Sequence, residues 1–417
     1  MEYFKLTAAL HNLGCKVNAY EADAMLEELR RAGIRIVPWE GAAADIYIIN
    51  TCSVTNIADR KSRQMIHKAR SMNPDAVVIA AGCYVQARAA ELQTDTAVDI
   101  LVGNQEKGRL LPILEAYWAA HPDRRPAGTE LIAAILHLDE GAPLIGDLTG
   151  PRGYHEVVLT GIHLSSYGLD FDHANYEYAM NHEIPSTHLL ALIRAVAAVP
   201  GIARVRLGSL EPRIITEPFV EALRAIPELC PHFHLSLQSG SDRILSAMNR
   251  HYDTAAFRHS VALLRAAWPE VAITTDVIVG FPGESDADFE DSYRFVEEIG
   301  FYELHVFKYS RRQGTVADRM PGQLTDRVKS ERSERLMKLD TQQSEAFRCR
   351  FLGRTEDVIP EEIVRIEGRP YLRGYNRCYV RYLIPLSDAT EGACKIGQIM
   401  QVCGQEICGG CVLALGL

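Results

Sequence analysis

Three cysteines each close a short apolar run, and their spacing constrains the fold of this chain more than any other feature. Cys15 closes TAALHNLGC, Cys52 closes DIYIINTC and Cys83 closes AVVIAAGC. Apolar runs of this length bounded by turn residues read as buried strands, and separations of 37 and 31 residues leave room for one helix between each pair. A repeat of that kind builds a parallel sheet with helical crossovers. Parallel α/β sheets gather ligands at the carboxyl ends of their strands, so three thiols at three such ends can converge on one point.

The pattern predicts helices over Glu21 to Ala32, Ile57 to Ser71 and Gln86 to Leu92, then the strand DILVGN at 99 to 104 and a helix from Glu106 to Ala119. HPDRRPAG breaks the pattern as a linker, which ends a first, doubly wound α/β domain near residue 121. Residues 122 to 154 carry turn residues without periodicity. From Tyr154 the runs HEVVLTG, RVRLGSL, HFHLSLQS, ITTDVIVGF and ELHVFKYS alternate with helical stretches, predicting a β/α barrel, or part of one, over 122–345. The polar stretch 170 to 185 reads as an inserted loop. From residue 346 the chain turns to short alternating strands, EEIVRIEG, RPYLRGY, CYVRYLIPL, IGQIMQVCG and GCVLALG, which predict a small β-barrel over 346–417.

Composition narrows the function classes. At 417 residues with 47% hydrophobic residues the chain can bury sizeable cores. No stretch approaches the roughly 20 apolar residues of a membrane span, and the start shows no secretory leader, so a cytoplasmic protein is expected. Ten cysteines are too sparse for a disulfide scaffold. The net charge of −10 argues against a uniform positive field for nucleic acid. Residues 308 to 354 oppose that sign, with twelve basic against six acidic residues. That segment is either a local basic face or a solvated helix laced with pairs such as Glu331 with Arg335. In the last domain Tyr371, Tyr375, Tyr379 and Tyr382 interleave with Arg369, Arg373, Arg377 and Arg381. That is a pattern able to stack bases and meet phosphates, or ordinary strand alternation.

Three thiolates suit an iron–sulfur cluster with one iron left open to an exogenous ligand. Zinc is an alternative, although structural zinc sites show close cysteine pairs that are absent here, and buried cysteines without a ligand role are another. Cys403, Cys408 and Cys411 have the C-x4-C-x2-C spacing of plant-type ferredoxins, but they fall in what reads as two strands around a turn. Cys230, Cys349, Cys378 and Cys394 have no partner spacing. His232 and His234 share a strand face, as a metal pair or as a satisfied pair.

LGCKVNAYEADAM, INTCSVTNIADRKSRQ and AGCYVQ resemble the amino-terminal domain of the methylthiotransferases, radical S-adenosylmethionine enzymes that insert sulfur and a methyl group. VVLTGIHLSSYG, RVRLGSLEP, HLSLQSGSDRILSAMNRHY, TDVIVGFPGE and HVFKYSRRQGT extend the resemblance through the barrel, and the carboxyl-terminal strands resemble the RNA-binding TRAM barrel. LGCKVN is similar to the branch acting on threonylcarbamoyladenosine at position 37 of tRNA.

The resemblance implies that Cys15, Cys52 and Cys83 hold an auxiliary 4Fe–4S cluster. It implies that Thr160, Gly161, Ser209, Glu211, Gln238, Ser239, Gly280, Phe281 and Pro282 line an S-adenosylmethionine pocket at the strand ends, although Gly280 and Gly283 also suit a turn. Arg311, Arg312, Tyr375 and Arg377 are the implied RNA contacts, with the tRNA anticodon loop as substrate. A flavodoxin or ferredoxin is the implied reductant, and a monomer is expected. One departure is specific: the family carries a second 4Fe–4S cluster on C-x3-C-x2-C after the first barrel strand, and this chain has no cysteine between Cys83 and Cys230. The missing segment is expected at a seam within Leu136 to Arg152, leaving five barrel strands where the family has six. Alternatives are a non-catalytic tRNA-binding or cluster-carrying chain, and sulfur insertion on a ribosomal protein.

Overall fold

A computed structural model describes residues 6–13, 16–40, 43–53, 56–124, 154–161, 163–171, 179, 182–312, 314–386 and 396–416. Cys15, Cys394, the expected seam and most of the expected insertion lie outside the described residues. The chain divides into two compact units, Met1–Pro143 and Leu144–Leu417.

In the first unit β1 (Thr7–Asn12), α1 (Lys16–Arg31), β2 (Arg35–Ile36), β3 (Ile46–Thr51), α2 (Asn56–Met72), β4 (Val77–Gly82), α3 (Cys83–Leu92), β5 (Ile100–Val102) and α4 (Leu110–Ala120) follow one another. All pairings are parallel, in the order β2-β1-β3-β4-β5. Every residue of β3 and β4 is buried, as a strand covered on both faces requires. Side-chain alternation then sorts the core into two layers. Ile46, Ile48 and Ile79 pack with Met25 and Leu29 of α1 and Leu114 and Trp118 of α4, while Tyr47, Ile49 and Ala80 pack with Ile66 of α2 and Tyr84 of α3. The helix expected from Glu106 opens as a 3₁₀ turn over Asn104–Arg109 before α4 begins.

The second unit continues with β6 (Glu156–Leu159), α5 (Thr187–Ala197), β7 (Arg204–Leu207), β8 (Ser209–Leu210), α6 (Glu217–Arg224), β9 (His232–Leu235), α7 (Asp242–Ala247), α8 (Thr254–Ala267), β10 (Ala272–Val279), α9 (Asp286–Ile299), β11 (Glu303–Lys308), α10 (Val316–Arg319) and α11 (Asp326–Cys349). β6 pairs with β7, and β8, β9, β10 and β11 form a four-stranded sheet, all in parallel. The five expected strand runs are therefore present, with RVRLGSL split into β7 and β8 at Gly208. Local chemistry sets the helix ends. Ser285 and Asp288 form a capping box at the start of α9, and Gly300, with φ 62°, closes it in the left-handed region.

The basic segment 308–354 is built mainly of α11, and its pairing differs from expectation. Arg335 pairs with Glu290 of α9, and Glu331 accepts from Arg327 instead. Lys329, Arg332 and Arg348 are buried, so part of the positive charge faces the protein rather than solvent. The reason is tertiary: α11 lies against α9 and β11, and the carboxylates of those elements outcompete partners on its own face.

The carboxyl-terminal strands β12 (Thr355–Ile366), β13 (Arg369–Tyr375), β14 (Arg381–Pro385), β15 (Met400–Cys408) and β16 (Cys411–Gly416) close into a barrel in the order β12-β13-β14-β16-β15. Closure leaves no unpaired sheet edge. Cys408 and Cys411 face each other across the Gly409–Gly410 turn, so the ferredoxin-like spacing belongs to a hairpin. The barrel core of Val358, Leu372, Val380, Tyr382, Val402 and Val412 is continuous with Phe347 and Phe351 at the end of α11 and with Tyr302 ahead of β11.

Candidate functional site

The strand order of the first unit puts its topological switch between β1 and β3, where open α/β sheets bind ligands. Cys52 follows β3, and Cys15 lies three residues past the end of β1 in sequence. Thr51 and Gly82 are register partners on β3 and β4, so Cys52 and Cys83 leave adjacent strands side by side. Cys52 is buried and Cys83 half-buried. The close approach depends on Gly82: its φ is 102°, and a Cβ there would stand 2.6 Å from the Thr51 carbonyl oxygen.

Asparagines tie these strand ends together. Asn50 Nδ2 donates to the Asn18 carbonyl at 2.6 Å, Asn18 Nδ2 donates to the Thr51 carbonyl at 3.0 Å, and Thr51 Oγ1 donates to the Ala81 carbonyl at 2.5 Å. Asn104 Nδ2 lies 3.7 Å from Cys83 Sγ, a donor to sulfur of the kind that tunes metal-bound thiolates. The donor set is soft and suits iron–sulfur or zinc chemistry.

In the second unit the residues expected at the cofactor pocket sit at or just past the carboxyl ends of β6, β8, β9 and β10. Glu211 follows β8, and its two carboxylate oxygens meet His163 Nε2 at 3.0 Å and Arg213 Nε. Burial alone would raise its pKa, but these partners outweigh burial and hold the carboxyl below its ordinary value. Gln238 takes a φ of 68° while its N–H donates to Asp276 O and its carbonyl accepts from Ile278 N. Non-glycine residues in that region are uncommon and mark a constrained backbone.

Gly280, with φ 76°, donates its N–H to the buried Glu284 carboxylate at 2.7 Å, and Glu284 is paired with Arg332 of α11. Phe281 packs edge-on against Tyr309. Ser239 differs from expectation, because its hydroxyl bonds to Ser292 of α9 at 3.1 Å and is buried behind the strand ends. Thr160 stands near Gly208, where a Cβ would meet its Oγ1 at 3.1 Å.

Among the residues expected to meet RNA, Arg311 bonds to Asp318 through both its side chain and carbonyl and remains exposed. The Tyr375 ring stacks on Tyr379 with centroids 4.5 Å apart. The Arg377 guanidinium donates to the carbonyls of Pro227 and Leu229, so it is spent on the junction between the two barrels of this unit.

That junction was not foreseen. Arg204 and Arg206 alternate with core residues on β7, turn away from the helices, and share Glu156 of β6. Both are about 1% exposed. Arg204 also donates to the carbonyls of Tyr375 and Asp357, and Arg206 to those of Asn376 and Arg377, while the Tyr379 ring lies 4.5 Å from the Arg206 guanidinium. The β13–β14 loop is thus bound to the face of the β/α strands opposite the helices. The alternating R-V-R-L of β7 carries this signal, but only as two charges on a strand otherwise read as apolar.

Two family models match the chain. Residues 7–103 match the Uncharacterized protein family UPF0004, and residues 151–296 match the Radical SAM superfamily. Together with the parallel strand ends described above, the second match defines the class, a radical S-adenosylmethionine enzyme, which implies a 4Fe–4S cluster and S-adenosylmethionine.

Threonylcarbamoyladenosine tRNA methylthiotransferase MtaB of Bacillus subtilis (strain 168) is 34% identical, covering 95% of this chain and 93% of the relative. The protein of the same name from Thermotoga maritima is 32% identical over 90% of this chain and 91% of its own length. A tRNA-2-methylthio-N(6)-dimethylallyladenosine synthase of Nitrosospira multiformis is 32% identical over 85% of this chain and 82% of its own length. This chain belongs to the threonylcarbamoyladenosine tRNA methylthiotransferase family. The Bacillus alignment runs over 440 positions, more than the 417 residues present here, so the relative carries residues with no counterpart in this chain. No helix among the described residues is long and apolar enough to cross a membrane.

Proposed function

We propose that the intact enzyme converts N6-threonylcarbamoyladenosine at position 37 of tRNA to its 2-methylthio derivative, with domains at 1–121, 122–345 and 346–417 dividing the work. The observation that carries this reading is the pairing of Cys52 and Cys83 at adjacent strand ends beside the sheet's switch point, in a chain aligned along 95% of its length with a relative of that name. Cys15, Cys52 and Cys83 would hold a 4Fe–4S cluster with one iron left open, which would offer a binding position for an exogenous sulfur ligand. Asn104 would stabilise the Cys83 thiolate, and the Asn18, Asn50 and Thr51 bonds would fix the spacing of the two strand ends.

The residues of this chain do not fit the second cluster of the family, because no cysteine lies between Cys83 and Cys230. For S-adenosylmethionine the fit is better. Glu211, held ionised by His163 and Arg213, keeps acceptor capacity for hydroxyl or ammonium donors, and Gln238 and Gly280 would lie beside it at the strand ends. Thr160, Gly161, Ser209, Phe281 and Pro282 would complete the wall, with Ser239 supporting it from behind. Arg311, Arg312 and Tyr375 would meet the anticodon loop, whose unpaired bases can be splayed out, and Arg377 would hold the RNA-binding barrel in place. The enzyme would act as a cytoplasmic monomer reduced by a flavodoxin or ferredoxin.

The missing cysteine set favours one second reading for this exact sequence, a cluster-carrying tRNA-binding chain without radical initiation. Nucleoside mass spectrometry of tRNA from a strain lacking the gene tests the main reading. Threonylcarbamoyladenosine should accumulate while its 2-methylthio form disappears. Unchanged tRNA with loss of a methylthio group from a ribosomal protein would overturn the substrate, and unchanged levels of both would overturn the activity.

A further inference from the structure

We propose that His234, Asp276 and His305 form a divalent transition-metal site inside the β/α strands, separate from the cysteines. The three residues lie on consecutive strands β9, β10 and β11. Asp276 and His305 are direct register partners, and His234 pairs with Thr274, two residues before Asp276 on the same face. Their neighbours Phe233, Leu235, Val277, Leu304 and Val306 point the other way into the core shared with the helices. Alternation therefore sends the two imidazoles and the carboxylate together to the face opposite that core.

The distances suit a metal. His305 Nδ1 lies 3.2 Å from Asp276 Oδ1, His234 Nε2 lies 3.3 Å from Asp276 Oδ2, and all three donors fall within 4.8 Å of one another. Bonds of about 2.0–2.2 Å to a dication place neighbouring ligand atoms roughly 3.0–3.5 Å apart. The His234–His305 separation is bounded at 4.8 Å, and His305, whose side chain is 53% exposed, has room to turn.

His234 supplies the independent observation. It is 93% buried, its Nδ1 is fixed by Thr274 Oγ1 at 2.9 Å, and its Nε2 faces Asp276 without a hydrogen-bond partner among the described residues. An imidazole with one nitrogen oriented by a hydroxyl and the other turned toward a carboxylate at 3.3 Å, outside hydrogen-bond geometry, is the arrangement of a metal ligand with its outer partner. Two imidazoles and one carboxylate with open positions suit iron(II), cobalt or zinc rather than calcium or magnesium.

Cobalt(II) uptake by the metal-stripped full-length chain tests this, with bound metal counted by mass spectrometry and circular dichroism confirming the fold. His305→Ala, at an exposed position, should lose about one cobalt per chain, and Thr274→Val should weaken that site roughly 10–100-fold. A Cys52→Ser/Cys83→Ser variant should retain it, with d–d bands and no thiolate charge transfer. Full uptake by His305→Ala, or loss of the same equivalent in the cysteine variant, would overturn the site.

Discussion

Replacing Arg206 with methionine should loosen the carboxyl-terminal barrel from the β/α strands. The guanidinium makes two contacts with Glu156, at 2.7 and 3.2 Å, and donates to the Arg377 and Asn376 carbonyls at 2.9 and 3.3 Å. Methionine restores most of the volume but strands two carbonyls and leaves Glu156 with Arg204 alone. Removing one partner from a buried ionic network costs roughly 3–5 kcal/mol. Trp268 is the one tryptophan of the second unit and packs against Phe233. With Trp39 and Trp118 replaced by phenylalanine, its fluorescence in urea reads that cost directly.

Glu156→Gln in the same background should be strongly non-additive with Arg206→Met, since both remove one contact. Amide exchange supplies the local readout. Tyr379 N–H donates to Asn376 O and Val380 N–H to Asn376 Oδ1, so exchange in 375–381 should rise selectively. A loss under about 1 kcal/mol, against the range expected for a buried pair, or unchanged exchange in that loop, would refute the reasoning.

Further outcomes follow from neighbouring sites. Arg332→Met leaves the buried Glu284 carboxylate with the Gly280 N–H and should destabilise the second unit by roughly 3–5 kcal/mol; Glu284→Gln in the same background should recover part of that loss in urea titrations. Gly82→Ala forces a Cβ against the Thr51 carbonyl, should cost about 1–3 kcal/mol, and should lower iron incorporation by parting Cys52 from Cys83. The Asp288 carboxyl is held well below its usual range, first by Arg243, and burial opposes this only in part. Its contribution to stability is therefore full above the unfolded carboxylate pKa of about 3.9 and is lost as pH falls through the lower folded value. Asp288→Asn should flatten the acid limb of a thermal-denaturation profile below about pH 4, and an unchanged limb would contradict that assignment.

How much was legible depends on whether a residue's role was local. DIYIINTC and AVVIAAGC read as buried strands because both faces are covered, and β3 and β4 are buried throughout. The cysteine spacing followed from the crossover length of a βα unit. The β12–β16 barrel was legible from short strands and turns, although β12 begins before the expected run. What failed to show was pairing between elements. Arg335 with Glu290, Arg204 and Arg206 with Glu156, and Asp276 between two histidines all depend on register or packing that no local pattern encodes. His232 and His234, joined by alternation in the sequence, part company: His232 meets the Tyr379 ring and His234 meets Asp276.

The proposed function requires one iron–sulfur cluster in this chain, on its strand-end cysteines. Anaerobic reconstitution followed by iron and sulfide analysis tests it directly, with sulfide excluding iron bound by imidazole or carboxylate. About four sulfides per chain are expected, lost together in Cys52→Ser/Cys83→Ser. About eight sulfides, or retention of the cluster by that variant, would contradict it.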